Sequence, residues 1–415
     1  MSGRVQVLFF YDKPNRGSLN SLCGAFEIAD LGRIADLHLV RHREELIPRV
    51  LAKRDAPTMV GISFATPQYW ATRDLVAALA DRPPGVVLVA GGPHPTAMPE
   101  QTRDMGFDIV VVGAGEQAFV DLVLETAAAP PGASAPPPMP PIRPIRPIRP
   151  IRPIPSPSVA PALGAVGPVE ITRGCPFRCG YCQTPGIFPG PVHHRPVEDI
   201  AHQLAEQRAH RLRDFRFVTP NAFGFGAPPG RTDPAAVEAL LTEARAAVKG
   251  GRLFFGTFPS EIRPESVTPE MLELTRRFAH NDNLTLGLQT GSERLLASIG
   301  RGHTVAQAVA AVELASRTGF VVNVDVIFGM PDESEGDVAE TLRVMHELIG
   351  LGARIHAHSY MPLPGTPWWP RPPAFPPAML DAALNRLIPT GRLFGHWQAQ
   401  RALAERILRQ FQPAP

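Results

Sequence analysis

The chain has 415 residues, too many for one ordinary domain, and the length predicts at least two. Lys and Arg number 41 against 39 Asp and Glu, and this balance indicates neither a nucleic-acid nor an acidic partner. No apolar stretch approaches the roughly 20 residues that cross a bilayer, and the apolar run near the N-terminus is too short for a signal peptide. We therefore expect a cytoplasmic protein without a membrane or nucleic-acid partner.

The first 129 residues alternate between strand-like and helix-like segments. Helical patterns occupy Gln68–Ala80 and Gln117–Ala128. The strand-like segments are short, apolar and β-branched: Val5–Tyr11, Thr58–Phe64, Val86–Ala90 and Asp108–Val112. Such runs are typical of parallel strands buried on both faces. The alternation predicts a doubly wound, Rossmann-like α/β domain over residues 1–129.

A proline-rich segment follows. Between Pro136 and Pro155 an Ile-Arg-Pro triplet repeats, and 48 prolines occur in the whole chain. Proline at every third position is incompatible with a helix and with a paired central strand, but it suits polyproline II. We interpret residues 130–162 as a stiff, solvated linker.

The alternation resumes after the linker. The predicted strands are Pro168–Thr172, Phe215–Thr219, Leu253–Thr257, Leu284–Gln289, Val321–Phe328 and Ile355–Tyr360. Helical segments separate them: Val197–Arg211, Pro234–Lys249, Thr304–Thr318 and Ser334–Ile349. Six successive units predict a partial (β/α)6 barrel over residues 163–360, with its chemistry at the carboxyl ends of the strands. Residues 361–415 are predicted to be a loop rich in Pro and Trp, then helix from about Pro377.

Three of the four cysteines lie within eight positions, directly after the first barrel strand. Cys175, Cys179 and Cys182 have the spacing Cys-x3-Cys-x2-Cys, which favours metal binding over disulfides. A short glycine-containing loop with three thiolates can hold a cubane iron–sulfur cluster and leave one iron open to another ligand. The alternative is a zinc site completed by His193 or His194. The fourth cysteine, Cys23, is expected to be a small buried hydrophobe.

With Tyr181 just before its last cysteine, this loop resembles the signature of the radical S-adenosylmethionine (SAM) superfamily. The resemblance implies a 4Fe–4S cluster whose open iron binds SAM. An electron, from a donor of the flavodoxin or ferredoxin type, then cleaves the sulfonium and releases a 5′-deoxyadenosyl radical.

Further segments of the barrel resemble SAM-contacting segments of this superfamily. One segment, Val218-Thr-Pro-Asn-Ala-Phe, occupies the place of the family's Gly-Gly-Glu motif but differs from it in sequence. Two others closely match the family's fourth-strand region: Leu286-Gly-Leu-Gln-Thr-Gly-Ser and Ile299-Gly-Arg-Gly. The arginine fork suits a carboxylate. The alternative for each residue is an ordinary polar loop position. The resemblance assigns these residues to SAM: Tyr181, Asn221, Glu261, Gln289, Ser292 and Arg301.

The N-terminal domain resembles the cobalamin-binding domain of cobalamin-dependent radical SAM proteins. The resemblance assigns these residues to cobalamin: Asp12, Ser63, Gly91 and Gly92. Pro14 stands where the family's frame has a cobalt-ligating histidine, so any cobalamin is expected to be bound base-off without that ligand. A degenerate domain that keeps the fold without the cofactor is the alternative. His38 and His94 are candidate replacements, but a lone histidine is more often structural.

Near the C-terminus, period two places His356 and His358 on one face of the last strand. A structural role is favoured for both, with contact to substrate or cofactor if they point inward. Trp368, Trp369 and Trp397 are expected to pack in the core rather than line a pocket.

Together these features identify the chain as a cobalamin-binding-domain radical SAM protein of an uncharacterised subgroup. The leading hypothesis is a cobalamin-dependent C-methyltransferase acting on an unactivated carbon of a small molecule. The alternatives are a non-methylating rearrangement or oxidation, and a cluster-bearing electron carrier or redox sensor. Methylthiotransfer is disfavoured because the cysteines for a second cluster are missing.

Overall fold

The computed structural model describes residues 4–53, 56–129, 142–143, 157–375 and 377–411. Most of the predicted linker therefore lies outside the described residues. The chain divides into two compact units, each described separately below. Unit 1 comprises Met1–Pro168 and Gly186–Pro189, and unit 2 comprises Val169–Pro185 and Gly190–Pro415. No helix in the described ranges is both long and apolar enough to cross a bilayer.

Unit 1 is built on one parallel six-stranded sheet with the order β2-β1-β3-β4-β5-β6. Its strands are β1 Val5–Phe10, β2 Ala35–Val40, β3 Thr58–Ser63, β4 Val86–Gly91, β5 Ile109–Val111 and β6 Ile142–Arg143. Its helices are α1 Arg16–Ile28, α2 Arg43–Leu51, α3 Tyr69–Ala77, α4 Pro93–Ala97, α5 Pro99–Asp104 and α6 Glu116–Ala128. The sheet order reverses between β1 and β3, and open α/β sheets bind ligands at the carboxyl ends of their strands beside such a reversal.

All four strands predicted in this unit are confirmed within a residue or two. The sequence missed β2, an edge strand whose residues are mostly half-buried. It also missed β6, which lies inside the predicted linker and pairs with β5. Cys23 is fully buried in α1, as predicted, and its burial raises the pKa of the thiol.

Unit 2 is a partial barrel of parallel strands. The strands are β7 Val169–Glu170, β8 Thr172–Arg173, β9 His193–His194, β10 Asp214–Phe215, β11 Phe217–Val218, β12 Arg252–Leu253, β13 Asn283–Gln289, β14 Val321–Phe328, β15 Arg354–Ser359 and β16 Leu393–Phe394. The order β13-β14-β15-β16 is continuous, β7 pairs with β11, and β10 pairs with β12. Only β8 and β9 pair antiparallel among these described strands. The predicted barrel is confirmed, although its first three strands are short and interrupted.

Helices alternate with these strands. They are α7 Thr184–Ile187, α8 Val197–Ala209, α9 Pro234–Ala247, α10 Pro269–Phe278, α11 Glu293–Ile299, α12 Val305–Arg317, α13 Glu335–Gly350, α14 Ala378–Leu387 and α15 Trp397–Phe411. Side chains fix several helix starts, because Thr304 and Ser334 form capping boxes with Gln307 and Asp337. The four predicted barrel helices and the C-terminal helical segment are confirmed. The sequence missed β16, which pairs with β15 as a two-residue edge strand.

Strand periodicity separates two faces in the barrel. Val322, Val324 and Val326 of β14 are fully buried, and they alternate with Asn323 and Asp325 on the other face. The polar face therefore points away from the valine layer, and it carries most of the candidate site.

Candidate functional site

The cysteine loop follows β8, and close packing holds it in place. Cys179 is buried, whereas Cys175 and Cys182 are half-buried. The loop is anchored at Gly180, whose N–H donates to the carbonyl of Ile299 and whose carbonyl accepts the N–H of Trp368 at 2.9 Å. A Cβ at residue 180 would lie 2.2 Å from the Trp368 ring. Glycine is therefore required at this contact, and Trp368 packs as predicted, against the loop itself.

An arginine covers the other side of the loop. The Arg263 guanidinium stacks 3.6 Å from the centre of the Phe177 ring, between the first two cysteines. It also donates to Glu265 and to the carbonyl of Arg301. Gly302 has φ +77°, and a Cβ there would lie 3.0 Å from Phe177. This stack could not be predicted from the sequence, because its partners are far apart along the chain.

Three predicted SAM residues meet above one glycine of β13. A Cβ at Gly287 would lie 2.3 Å from Arg301 Nη2, 2.7 Å from Gln289 Nε2 and 2.7 Å from Glu261 Oε2. Arg301 donates to the Gly287 carbonyl at 2.6 Å, and its Nε is buried without a partner among the described residues. Gln289 has φ +79°, at a register shift between β13 and β14. The arrangement is a compact, buried polar cluster at the carboxyl end of β13.

The charges in this cluster depend on one another. Burial raises the pKa of Glu261, and the carboxylate of Asp325 raises it further. Burial disfavours the charged form of Arg301, but Tyr181, Glu261 and Cys179 together raise its pKa. Burial likewise raises the pKa of Tyr181. Arg301 is thus a permanent buried cation beside the cysteine loop, and its unpartnered Nε can still donate to an anion.

Two other predicted residues are engaged in local structure. The Asn221 side chain accepts the N–H of Arg263 and the hydroxyl of Ser266. Ser292 caps α11 through the N–H of Leu295 and donates to Asp337 at 2.5 Å. The structure does not bring these two side chains into the cluster above Gly287.

A second polar group lies one strand further. Asp325, His356 and His358 are the one group in the described part of the chain in which three or more His, Cys, Asp or Glu ligand atoms lie within 4.8 Å of one another. Asp325 Oδ1 is 2.8 Å from His356 Nδ1 and 3.8 Å from His358 Nε2. Burial opposes ionisation of Asp325, but hydrogen bonds from both histidines lower its pKa. The sequence placed the histidines on one face but missed their carboxylate partner.

Unit 1 contains an apolar cavity of about 180 Å³ at the carboxyl ends of β3, β4 and β5. Predicted cobalamin residues Ser63, Gly91 and Gly92 line it, together with apolar side chains such as Phe9, Leu19 and Phe119. The Ser63 hydroxyl is buried without a partner among the described residues. Gly92 has φ +100°, and a Cβ there would lie 2.7 Å from that hydroxyl. The cavity can therefore accept an apolar group and offers it the unpartnered Ser63 hydroxyl, while Ser18, Ser21 and Glu116 also line it.

The remaining predicted residues of unit 1 lie outside this lining. Asp12 accepts the N–H of Lys13 at 2.7 Å and caps the turn that contains Pro14. His94 is fully buried, with Thr66 and Gln101 each 3.0 Å from one ring nitrogen, and burial lowers its pKa to about 4. His38 is exposed on β2. Both ring nitrogens of His94 are already engaged and His38 is exposed on an edge strand, so neither is placed to ligate cobalt in the cavity. These contacts are consistent with the structural role favoured from sequence.

Two family models match the chain. The radical SAM superfamily model matches residues 169–345, and the B12 binding domain model matches residues 11–123. The radical SAM methyltransferase TsrM from Kitasatospora setae, determined with cobalamin and a [4Fe-4S] cluster, aligns with a TM-score of 0.65 and 16% identity, over 88% of this chain and 77% of that chain. The cobalamin-dependent radical enzyme OxsB aligns at 0.58 and 15%, over 83% and 52%. At such identities the likeness shows a shared fold.

Among curated sequences, tRNA-2-methylthio-N(6)-dimethylallyladenosine synthase of Ralstonia pickettii is 30% identical over 211 residues, which are 49% of this chain and 44% of the relative. The chain spans less than half the length of the curated relatives it matches. The fold, the cysteine loop and the family models identify residues 169–345 as a radical SAM domain and residues 11–123 as a B12 binding domain. The chain therefore combines these two domains.

The family implies a 4Fe–4S cluster, SAM and cobalamin, and the residues fit all three. Three cysteines in one loop supply thiolates for three irons of a cubane cluster. The buried cation Arg301, with an unpartnered N–H, suits the carboxylate of SAM. The unpaired Ser63 hydroxyl and the space left by Gly92 suit close approach of a large cofactor to the backbone.

Proposed function

We propose that this enzyme is a cobalamin-dependent C-methyltransferase that acts on a carbon of a small-molecule substrate. The observation that carries the proposal is the glycine-lined apolar cavity of unit 1, with its unpaired Ser63 hydroxyl, in a chain that also has the radical SAM cysteine loop. Methyl transfer uses both cofactors, whereas a radical rearrangement or an electron carrier does not require cobalamin. The structural neighbour TsrM is a radical SAM methyltransferase, and this likeness also supports methyl transfer.

The residues have distinct proposed roles. Cys175, Cys179 and Cys182 hold the cluster, which when bound supplies the electron that cleaves SAM, while cobalamin carries the methyl group. The proposed SAM contacts are Tyr181, Asn221, Glu261, Gln289, Ser292 and Arg301. The proposed cobalamin contacts are Asp12, Ser63, Gly91 and Gly92. A reductant of the flavodoxin or ferredoxin type is the proposed electron donor.

Arg301 and Glu261 have the strongest support among the SAM contacts. Arg301 is buried and Glu261 half-buried, and both lie above Gly287, whose lack of a side chain leaves room for them. A guanidinium in this position binds a carboxylate through two parallel hydrogen bonds, and a carboxylate accepts from an ammonium or a hydroxyl. The barrel therefore binds and orients SAM through fixed charges, close to the cysteine loop that contacts Arg301.

Methylthiotransfer, the activity in the names of several curated relatives, has weaker support. In this chain three of the four cysteines are in the loop, and the fourth is Cys23. Cys23 is fully buried in unit 1, where burial raises its thiol pKa and keeps it protonated. Nothing in the chain therefore supplies a second set of thiolates.

The test is anaerobic reconstitution of the full chain, followed by iron and cobalamin analysis and assays of 5′-deoxyadenosine and of label transfer from methyl-labelled SAM to cobalamin. We expect Cys179→Ala to abolish SAM-dependent chemistry, because the cluster loses a ligand. Cys23→Ala is the matched control and should retain it. Stoichiometric zinc in place of iron, or a cluster-loaded protein that never binds cobalamin, would refute the proposal.

A further inference from the structure

Asp325, His356 and His358 form a group that has no part in the proposed roles above. Asp325 lies on β14, and the two histidines lie on one face of the neighbouring strand β15. In the sheet Asp325 pairs with Gly287 on one side and with His356 on the other, so the group lies beside the polar cluster above Gly287. Both histidine side chains are 27% exposed, so an ion or a small ligand can reach them.

Three potential ligand atoms converge in this group. Asp325 Oδ1 lies 2.8 Å from His356 Nδ1 and 3.8 Å from His358 Nε2, and the two nitrogens lie 3.1 Å apart. Atoms at these separations share a point about 2 Å from each of them, which is the length of a bond from Zn²⁺ to a histidine nitrogen or a carboxylate oxygen. A metal ion therefore fits between the three side chains as they stand.

Protons on neutral rings do not satisfy the contacts among these atoms. The Gln400 carbonyl accepts the backbone N–H of Ser359 at 2.9 Å, and its NH₂ group lies 3.2 Å from His358 Nδ1. With Nδ1 as the acceptor, the neutral His358 ring carries its proton on Nε2 and donates it to His356 Nδ1 at 3.1 Å. The same His356 nitrogen, which then has no proton, lies 2.8 Å from Asp325 Oδ1.

Moving the proton of His356 to Nδ1 does not remove the conflict. His356 Nδ1 then donates to Asp325, but it also faces the N–H on Nε2 of His358. With either arrangement beside an ionised Asp325, one short contact joins two acceptors or two donors, which is unfavourable in a partly buried group. A cation at the shared point removes the conflict, because all three atoms then offer a lone pair to it.

The ligand set defines the class of ion. Two imidazole nitrogens and one carboxylate oxygen suit divalent first-row metals such as Zn²⁺ and Fe²⁺, whereas Mg²⁺ and Ca²⁺ prefer oxygen ligands alone. Three protein ligands leave at least one coordination position open. Among the charged neighbours, Glu261 and Arg301 have opposite charges and lie together above Gly287, so Asp325 supplies the net negative charge that attracts a cation.

Neighbouring groups orient the two rings. The His356 ring stacks on Phe394 of β16, with centroids 4.5 Å apart and an angle of 8° between the planes. A metal-bound His358 carries its proton on Nδ1 and needs an acceptor there. The Gln400 carbonyl can supply it, because this oxygen has a second lone pair beside the one that Ser359 uses. Metal binding therefore requires the Gln400 amide to rotate from donating to His358 to accepting from it.

We propose that Asp325, His356 and His358 bind one divalent first-row metal ion, separate from the 4Fe–4S cluster, with Gln400 as the positioning residue for His358. The open coordination position takes water or an oxygen or nitrogen donor of a small ligand. The site goes beyond the proposed function, since it depends neither on cobalamin nor on methyl transfer. It is carried by the convergence of the three ligand atoms and by the conflict that protons leave between them.

The first test measures metal binding by the full chain with its cluster in place. Equilibrium dialysis against Co²⁺, a probe for Zn²⁺ sites with visible absorption bands, should give one equivalent beyond the cluster iron, with any resident zinc counted toward it. His356→Ala, His358→Ala and Asp325→Asn should each abolish this equivalent. His202→Ala, on the exposed face of α8, is the control and should bind as the wild type does. A wild type that holds no such metal, or binding that survives all three substitutions, overturns the proposal.

The second test changes Gln400 and leaves all three ligands in place. Gln400→Glu supplies a carboxylate that only accepts, so Co²⁺ should bind about tenfold more tightly, whereas Gln400→Leu should bind it about tenfold less tightly. A folding defect does not produce affinity changes of opposite sign. Equal Co²⁺ affinities in the wild type and both variants would overturn the positioning role of Gln400.

The two proposals fail separately. Replacing Cys175, Cys179 and Cys182 together with Ala should remove the cluster and leave Co²⁺ binding at the Asp325 group, whereas His356→Ala should lose Co²⁺ and keep its cluster iron. A chain with SAM-dependent chemistry but no metal at this group removes the metal site alone. A chain that binds Co²⁺ there and never acts on SAM retains the metal site and removes the proposed function.

Discussion

The two candidate cofactor sites differ in what lines them. In unit 1 the cavity is made of backbone and apolar side chains, with glycines at the points of close approach and one unpaired hydroxyl. In unit 2 the site is a buried set of charged groups around Gly287. Cobalamin, a large cofactor with uncharged surfaces, is selected by the shape of its site, whereas SAM, which is smaller and carries charged groups, is selected by charge. Substitutions of volume should therefore damage unit 1, and substitutions of charge should damage unit 2.

The cysteine loop is an exception to that contrast, because it depends on packing and should show the largest effect. Gly180→Ala places a Cβ against the Trp368 ring and should strongly reduce bound iron, since overpacking of this kind costs about 1–3 kcal/mol. Iron per chain and the cluster absorbance measure this. In the double variant Gly180→Ala/Trp368→Ala the glycine change should cost much less. Equal losses in both backgrounds would mean that the contact does not hold the loop.

Volume effects in unit 1 can be compared at two adjacent glycines. Gly92→Ala should reduce cobalamin affinity by about tenfold or more, because φ is +100° and the new Cβ would meet Ser63 and Phe64. Gly91 lines the same cavity, but its new Cβ would have nothing within 4 Å, so Gly91→Ala is the matched comparison and should lower the affinity less. Equilibrium binding of cobalamin by absorbance gives both affinities. Equal losses in the two variants would show that the cavity is not shaped by Gly92.

A buried carboxyl in unit 2 should give a pH-dependent stability. Burial raises the pKa of Glu333 from 4.5 to about 7, so the folded state keeps its proton and stability falls as the pH rises through that interval. The loss at high pH amounts to about 3 kcal/mol. Glu333→Gln should unfold at a denaturant concentration that depends less on pH, whereas exposed Glu335→Gln should follow the wild type. A Glu333→Gln variant with the wild-type pH profile would contradict this.

The smallest expected effect concerns the single hydroxyl of the unit 1 cavity. Ser63→Ala removes the only unpaired buried hydroxyl recorded in the lining, so cobalamin affinity should fall several-fold, corresponding to about 1 kcal/mol. Protein stability should change little, because that hydroxyl has no described partner to lose. Cobalamin titrations of Ser63→Ala and Gly92→Ala compare the contribution of the hydroxyl with that of cavity shape. A larger loss of affinity in Ser63→Ala would contradict the view that unit 1 selects its cofactor by shape.

The sequence predicted the buried parallel strands well, because their apolar runs are nearly continuous. The strand β2 was missed because edge strands mix polar and apolar residues, as Asp36 and His38 do. The cysteine loop was identified from local features: the cysteine spacing, Tyr181 before the last cysteine and its position after the first barrel strand. The convergence of Glu261, Gln289 and Arg301 required the register of the folded barrel, and so did the pairing of Asp325 with His356. Local spacing cannot reveal contacts between side chains that different strands supply.

For Ser292 the structure shows a local role beside the expected one. Ser292 was grouped with the SAM contacts by resemblance, yet its hydroxyl caps α11 and donates to Asp337. The sequence contains the capping signal, since Ser292 is followed by Glu293 and an apolar run. The same residue thus matches a family motif and a helix start, and its role in SAM binding stays a prediction.

The short segment Gly186–Pro189 belongs to unit 1, although it follows the cysteine loop in the chain. Ile187 and Phe188 line the apolar cavity. These two lining residues are therefore translated only after the last cysteine of the loop, so the cavity cannot be complete before then. A gene fragment that ends at Pro168 would encode an incomplete receptor for its ligand, and natural or engineered recombination cannot exchange the two halves at that point without leaving part of one behind.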